Sequence, residues 1–350
     1  MTPSHQATTL QVNLHPLDAP HAVHTLAHHL RVFGDQVDEI LLTLDLHHTP
    51  GSRYRADDYD AKLRSLRTVL DKLCDQSPKV RIVEVRYDEA AVRDVALMFL
   101  GRESVPKKAY NGSPFHAYLF GLQQAAHDLV LHLDSDMMFG GGSQTWVAEA
   151  VAHLRRDANV LCCSPYPGPP RSDGKLFYVT DARLVQTDPP AHEFSKLSTR
   201  VFLLDRRRFS QGELRIPLCK PGLAGRAAAF INYTPPYLAL EDCMTALMKE
   251  RGMVRLDFLG SGAGLWSLHP VYRSERFYRE LPQLIQRIEM GDVPDAQRGH
   301  YDIKEPFFDW SDVRAQMTLR AKIQRRLNWA AAGLRLRLQD LTRRTDHASP

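Results

Sequence analysis

At 350 residues the chain is long enough to bury a sizeable core or to form two lobes around a cleft. Its 43% hydrophobic, 25% charged and 9% aromatic residues exclude a disordered, collagenous or low-complexity protein. The net charge of +4 is unevenly held: residues 314–344 carry nine bases against the single acid Asp340, a charge of +8, which leaves −4 for the remainder. A basic tail on a mildly acidic body points to an anionic partner for the tail.

The chain opens with an apolar run around Leu10–Leu14, then Val23, Leu26, Leu30 and Phe33 at helical spacing. Next comes the strand pattern EILLTLDL, Glu39–Leu46, which contains Asp45. The polar loop HHTPGSRYRADD leads to a helix with Leu63, Leu66, Val69, Leu70 and Leu73 on one face, and KVRIVEVRY supplies a third strand. Alternating strands and helices predict a mostly parallel sheet covered on both sides, and ligands of such sheets bind at the carboxyl ends of the strands. Ser113 and Pro114 read as a helix start, the serine capping and the proline in the first turn. The run LVLHLDSDMMFGGG is a short apolar strand ending in Asp134 and Asp136. Beyond a helix near 143–156, NVLCCSP, RVFLLD and VRLDFLG are further strand candidates, and LEDCMTALMKERG is a helix stopped by Gly252. No internal repeat is present.

Asp134 and Asp136 are the strongest chemical signal. Residues two apart in an extended segment face the same side, so both carboxylates can meet one divalent cation, a hard ion that takes oxygen ligands and shares them with a diphosphate. Such an ion would act as a Lewis acid on a departing nucleoside diphosphate. Asp58 and Asp60 have the same spacing but lie in a polar loop, and serve as an internal control. The histidines His21, His24, His28, His29, His47 and His48 show no spacing joined to acidic or thiol ligands and read as solvated or half-buried rings. Five cysteines without a CxxC pair give no disulfide framework and suit a reducing cytoplasm. No run of about 18 apolar residues occurs, and the N-terminus lacks the order of a secretory signal, so a spanning helix and classical secretion are not expected.

Three features together resemble the GT-A glycosyltransferases, in particular the family 2 group: Asp134-Ser135-Asp136 on a strand, Glu241-Asp242 opening a helix about 105 residues later, and Trp266-Ser267-Leu268-His269 beyond it. The resemblance covers roughly residues 8–270. It implies an α/β GT-A fold, Rossmann-like with a mostly parallel central sheet flanked by helices. It also implies transfer of one sugar from a nucleotide-sugar donor, a UDP-sugar being expected, to a hydroxyl of a glycan or lipid-linked acceptor in bacterial-type surface polysaccharide synthesis. By the same resemblance Asp134 and Asp136 hold Mn²⁺ or Mg²⁺ and the donor diphosphate, His269 completes the metal shell, and Asp242 is the general base of an inverting displacement. Asp45 and His15 stand where the family contacts the nucleotide, although the family's usual Asp-Asp and Pro-Thr pairs are absent. Arg102, Lys107 and Lys108 lie in a loop where cations can meet phosphate. A sugar-nucleotide nucleotidyltransferase shares the architecture, and a catalytically silent scaffold on the same fold is the reading from another class. A haloacid-dehalogenase-type phosphatase is disfavoured because that family keeps its DxD on the first strand.

The expected division is a transferase domain at 1–305 and a basic amphipathic helical arm at 306–350. In the arm, Ile323, Leu327, Ala331, Leu334, Leu338 and Leu341 form a narrow apolar stripe flanked by Arg325, Arg326, Arg335, Arg337, Arg343 and Arg344. That pattern suits an anionic membrane surface reached from the cytoplasm, or packing on the body or another subunit. Arginines with only Trp329 among them give no means of reading bases, so nucleic acid is not an expected partner.

Overall fold

Both faces of the first strand are covered, from Thr9 and Gln11 on one side to Leu10 and Val12 on the other, which is the burial of a strand inside a sheet rather than at its edge. The computed structural model describes residues 6–47, 58–177, 179 and 181–346, with the backbone alone described at 315, 316, 319, 337 and 340–346. Its strands are β1 (Thr8–Leu14), β2 (Glu39–Leu44), β3 (Val80–Glu84), β4 (Leu129–Asp134), β5 (Met138–Gly140), β6 (Val160–Pro167), β7 (Ala182–Thr187), β8 (Pro190–Phe194), β9 (Val201–Asp205), β10 (Val254–Phe258) and β11 (Trp266–Leu268). Its helices are α1 (Ala19–Phe33), α2 (Tyr59–Gln76), α3 (Glu89–Leu100), α4 (His116–Gln124), α5 (Trp146–Arg156), α6 (Arg207–Ser210), α7 (Leu223–Asn232), α8 (Leu240–Arg251), α9 (Glu275–Glu289), α10 (Ser311–Gln316) and α11 (Leu319–Asp346).

The sheet runs β3-β2-β1-β4-β9-β6-β10-β8-β7. Its first four strands are parallel, β9 and β8 run against the others, and β6 and β10 are again parallel. The protein is therefore mixed α/β with a mostly parallel central sheet flanked by helices. One face carries α1, α2 and α5, which bury Leu26, Phe33, Leu66, Leu70 and Trp146; the other carries α3, α4 and α8, which bury Phe99, Leu119, Phe120 and Leu247. A third cluster joins β11 to α9 through Trp266, Phe277, Leu281 and Ile285. Phe307, Phe308 and Trp310 belong to that cluster and Val313 packs against it, so the body's packing continues past residue 305.

Ser113 and Pro114 do not start a helix. The first turn of α4 opens at His116 with Phe115 in the cap position, while the Ser113 hydroxyl donates to Asn111 Oδ1 at 2.7 Å and its carbonyl accepts from the Ala109 amide. Asn111, which holds its own turn together, outcompetes the serine as a local director. Helices α3, α7 and α9 and the β7–β8 hairpin have no counterpart in the expected elements. Most of the polar loop after β2 lies outside the described residues, as do the side chains of Arg337, Leu341, Arg343 and Arg344. Among the described residues, no helix is long and apolar enough to cross a membrane.

Helix α11 docks on α7 at Gly333, where a Cβ would collide with the Ile231 carbonyl. Trp329, Ala332 and Leu336 share that partly covered side, whereas Ile323, Leu327, Leu334 and Leu338 are at least half exposed on the side away from it.

Candidate active site

Strands β1, β2 and β4 end together, and their carboxyl ends form the floor of a cavity of about 650 Å³, within the range of cofactor-sized sites. His15 and Asp18 follow β1, Asp45 follows β2, Asp134 ends β4, and Asp136 lies in the turn beyond it. Lys108, Tyr118, Arg273 and Tyr278 are among the other polar groups of the lining.

At one end, Asp45 is buried and already accepts three hydrogen bonds. Lys108 Nζ donates to Oδ2 at 3.2 Å, while Tyr87 OH and the His47 amide donate to Oδ1 at 3.0 and 2.9 Å. Lys108 thus lines the cavity as one half of an ion pair. Lys107 lies over the Tyr87 ring, its Nζ 5.4 Å from the centroid, outside the lining. Arg102 is exposed just past α3, also outside it. His15 reaches the cavity as the cap of a 3-10 turn over Pro16–Asp18: its Nδ1 accepts from the Leu17 amide at 3.2 Å, and its own amide donates to Asp18 Oδ2 at 2.8 Å.

At the other end the two acids of the DSD segment have different surroundings. Asp134 keeps 26% side-chain exposure and accepts a hydrogen bond from Tyr118 OH. Asp136 is 3% exposed and ion-paired to Arg273. Asp18, which the sequence reading passed over, joins them as a third carboxylate. Enclosure by the cavity pushes its pKa up to about 6 against the pull of the His15 amide and Arg273, even though 31% of its side chain still meets solvent.

His269 Nε2 stands 3.9 Å from Asp136 Oδ2, and its Nδ1 pairs with Asp302 Oδ1 at 3.0 Å. A carboxylate behind one ring nitrogen is the arrangement that orients a metal-binding histidine. Among the described residues no three His, Cys, Asp or Glu side chains close into a ready-made metal cage. Two carboxylates and one oriented imidazole nevertheless fit a hard divalent ion of the Mg²⁺ or Mn²⁺ kind, which usually takes one or two carboxylates and completes its shell with substrate phosphate and water. Arg273 has to leave Asp136 for that oxygen to be shared.

Asp242 sits apart from these groups. It is exposed in the first turn of α8, outside the cavity lining, and Ala239, not an acid, takes the cap position. Glu241 beside it accepts from the Thr199 amide at 3.1 Å and lies close enough to Tyr118 for its charge to be felt there. Burial, with the Asp134 charge behind it, holds the Tyr118 phenol well above the usual tyrosine range.

Three histidines of α1 overturn the expectation of solvated or half-buried rings, while His24 on the same helix is half-buried as expected. His21, His28 and His29 are essentially fully buried and, with Thr25, line one face of the helix. His21 Nε2 meets Ser135 Oγ at 2.9 Å, Thr25 Oγ1 donates to the Ser135 carbonyl, His29 Nε2 bonds the Met137 carbonyl at 2.7 Å, and the Phe139 amide donates to His28 Nε2 at 2.9 Å. Four side chains of one helix therefore hold the loop that carries Asp136. Their i, i+4, i+7, i+8 spacing, in register with Leu26 and Phe33, was the available signal.

No protein-family model matches this chain, and no curated protein sequence matches it. Solved structures are similar at low identity. One is the mannosyltransferase PcManGT from Pyrobaculum calidifontis in complex with GDP-Man and Mn²⁺, 13% identical over 95% of this chain and 76% of that one, with a TM-score of 0.38. Another is S. aureus TarS 1–349 in complex with UDP-GlcNAc, 12% identical over 83% and 69%, TM-score 0.37. A third is a UDP-glucose pyrophosphorylase complexed with UDP-glucose, 10% identical over 73% and 92%, TM-score 0.33.

Proposed function

We propose that this chain is a metal-assisted glycosyltransferase that moves one sugar from a nucleotide-sugar donor, a UDP-sugar, to a hydroxyl of a glycan or lipid-linked acceptor. The observation that carries the reading is the cavity at the carboxyl ends of β1, β2 and β4, lined by Asp45 and Lys108 at one end and by Asp134 and Asp136 at the other, with His269 behind Asp136 at 3.9 Å. A nucleotide-sugar has the same polarity: a base and ribose to be hydrogen-bonded, then a diphosphate to be neutralised.

Asp45 and His15 line the nucleoside end, with Lys108 held beside them as a cation toward phosphate. Asp134, Asp136 and His269 would hold Mn²⁺ or Mg²⁺, which supplies Lewis-acid neutralisation of the departing nucleoside diphosphate. Arg273 can pass from Asp136 to a phosphate oxygen, since nearly half of its side chain already meets solvent.

Asp242 is the base of an inverting displacement in this reading. Its exposed carboxylate has no hydrogen-bond partner among the described residues, so it can accept an acceptor hydroxyl proton, while Glu241 is engaged with Thr199. The arm supplies an address. Its open stripe of Ile323, Leu327, Leu334 and Leu338, with Arg326 and Arg335 at the flanks, suits an anionic membrane surface on the inner face of the cell membrane.

The test is a thermal-shift panel of nucleoside diphosphates and nucleotide sugars with and without Mn²⁺ or Mg²⁺. A ligand at about 100 times its dissociation constant adds roughly 2.7 kcal/mol of apparent stability. Absence of a metal-dependent shift with every nucleotide would remove the reading. Sedimentation with anionic liposomes tests the arm: the full chain should pellet at low salt, and a chain ending near Asp312 should not.

A further inference from the structure

On the other side of the Asp134 segment the sheet holds a second, smaller cavity of about 190 Å³, walled by β6, β8 and β10, the segment before β9, and Tyr301. Tyr301 is its link to the first: its ring stacks on His269 at 6.0 Å and 10°, and the Arg200 carbonyl next to Val201 accepts the Asp134 amide at 2.7 Å. At 190 Å³ it is well below the roughly 300–1,000 Å³ of cofactor or drug-sized sites and has room for about one ring.

The wall has three properties. It is charge-balanced: Arg255 forks onto Asp257, Nε to Oδ1 at 2.7 Å and Nη2 to Oδ2 at 3.0 Å, while Lys196 and Asp181 oppose each other in sign. A balanced wall offers an anion little and leaves hydroxyl groups as the natural partners. It has apolar surface in the parts of Phe194 and Tyr301 that the Arg255 guanidinium over Phe194 and His269 and Arg200 over Tyr301 leave uncovered, suited to the C–H groups of a sugar ring. It also contains an unanswered polar group. Ser267 is 1% exposed, and its Oγ finds no hydrogen-bond partner among the described residues. A buried hydroxyl without a partner is destabilising, and a ligand hydroxyl would supply the missing bond. The Asp257 carboxylate, with up to about four acceptor positions, retains capacity beyond its Arg255 fork.

The geometry points to this cavity as a subsite for one uncharged sugar ring, the terminal unit of the acceptor. Ser267 and Asp257 bind its hydroxyls, and Phe194 and Tyr301 take its apolar face. The name acceptor rests on the transferase reading; sugar binding does not.

The probe is a panel of methyl glycosides (glucoside, galactoside, mannoside and N-acetylglucosaminide), followed by saturation-transfer NMR on the full chain with and without UDP and Mn²⁺. At least one glycoside should bind. Its signal should fall about tenfold or more in Ser267→Val, which removes the hydroxyl at nearly constant volume, and in Ser198→Trp, which fills the cavity from a half-buried loop position. UDP should not displace it. The subsite is overturned if no glycoside binds, if UDP competes it away, or if binding survives in a variant whose melting temperature shows it folded. Melting curves of the same samples with UDP and Mn²⁺ separate the two ideas. Nucleotide stabilisation without glycoside binding overturns the subsite alone, whereas glycoside binding without nucleotide stabilisation supports the cavity and removes the transferase reading.

Discussion

Asp134/Asp136 and Asp58/Asp60 are the same pattern in two places. The first pair ends a buried parallel strand and is gripped from several sides, with Tyr118 on Asp134 and Arg273 on Asp136. The second pair opens α2, where Asp58 is more than half exposed and pairs with Lys62 one turn on at 3.1 Å. Spacing in the sequence is identical, so the difference lies in what the surrounding chain does to the carboxylates. A strand end inside a sheet concentrates acids against one another, and their repulsion is relieved by a cation or a proton; a helix start disperses them into water.

The largest effect that would test this contrast is on Asp136. Asp136→Asn should lower metal-dependent nucleotide affinity by more than about a hundredfold, beyond the 10–100-fold typical of residues that only support metal ligands. Titration calorimetry with and without Mn²⁺ reads this directly. Equal losses in Asp136→Asn and in an Asp58→Asn, Asp60→Asn double variant would break the comparison.

Next comes turnover. Asp242→Asn should leave donor binding in place and reduce transfer about 10²–10⁴-fold, the usual range for a lost general base. Glu241→Gln should cost less. A product that keeps the donor's anomeric configuration would refute the base role.

A smaller effect belongs to the helix behind the DSD loop. Burial, reinforced by the neighbouring His28, lowers the His29 pKa to about 3. Between the unfolded value near 6.5 and that figure, the unfolded chain takes up a proton that the folded one refuses. Stability is thus present above pH 6.5 and declines as the pH falls, by about 1.4 kcal/mol per pH unit from this residue. His29→Gln, which keeps a donor for Met137, should flatten the acid limb of a denaturation series by that slope. An unchanged limb would show that the ring is not held neutral.

The smallest effect is at the control pair. Asp58→Asn should change stability by no more than about 0.5 kcal/mol, the scale of an exposed i, i+4 pair. A chemical denaturation midpoint shifted well beyond this would mean that the helix-start acids have a role of their own.

What the sequence reveals follows the same division. β1, β2, β4 and the strand-borne acids were legible because apolar runs punctuated by Asp and Gly are local signals, and Gly252, left-handed at φ 65°, ends α8 as expected. The pairing of Asp45 with Lys108 was not, since those residues are 63 apart and meet only when β2 and the loop before α4 come together. Asp18 and Arg273 escaped for the same reason: neither sits in a patterned stretch, and each gains its role from a strand end elsewhere. His21, His28 and His29 were misjudged because imidazoles were weighed as ligands or surface groups rather than as hydrogen-bonding partners of a loop more than 100 residues away.

The short ladder between β5 and β11 sets a mechanical tolerance. Leu268 pairs with Met138, so His269 lies one residue and Asp136 two residues beyond the same rung, one on either ribbon. Gly140 faces Trp266 so closely at the far end that any side chain there would strike the indole. The separation of carboxylate and imidazole is therefore fixed by backbone register before either side chain chooses a rotamer. A slip of one rung would carry the histidine about 3.3 Å along and turn it to the opposite face. The indole against the glycine is the stop that prevents the ribbons from sliding.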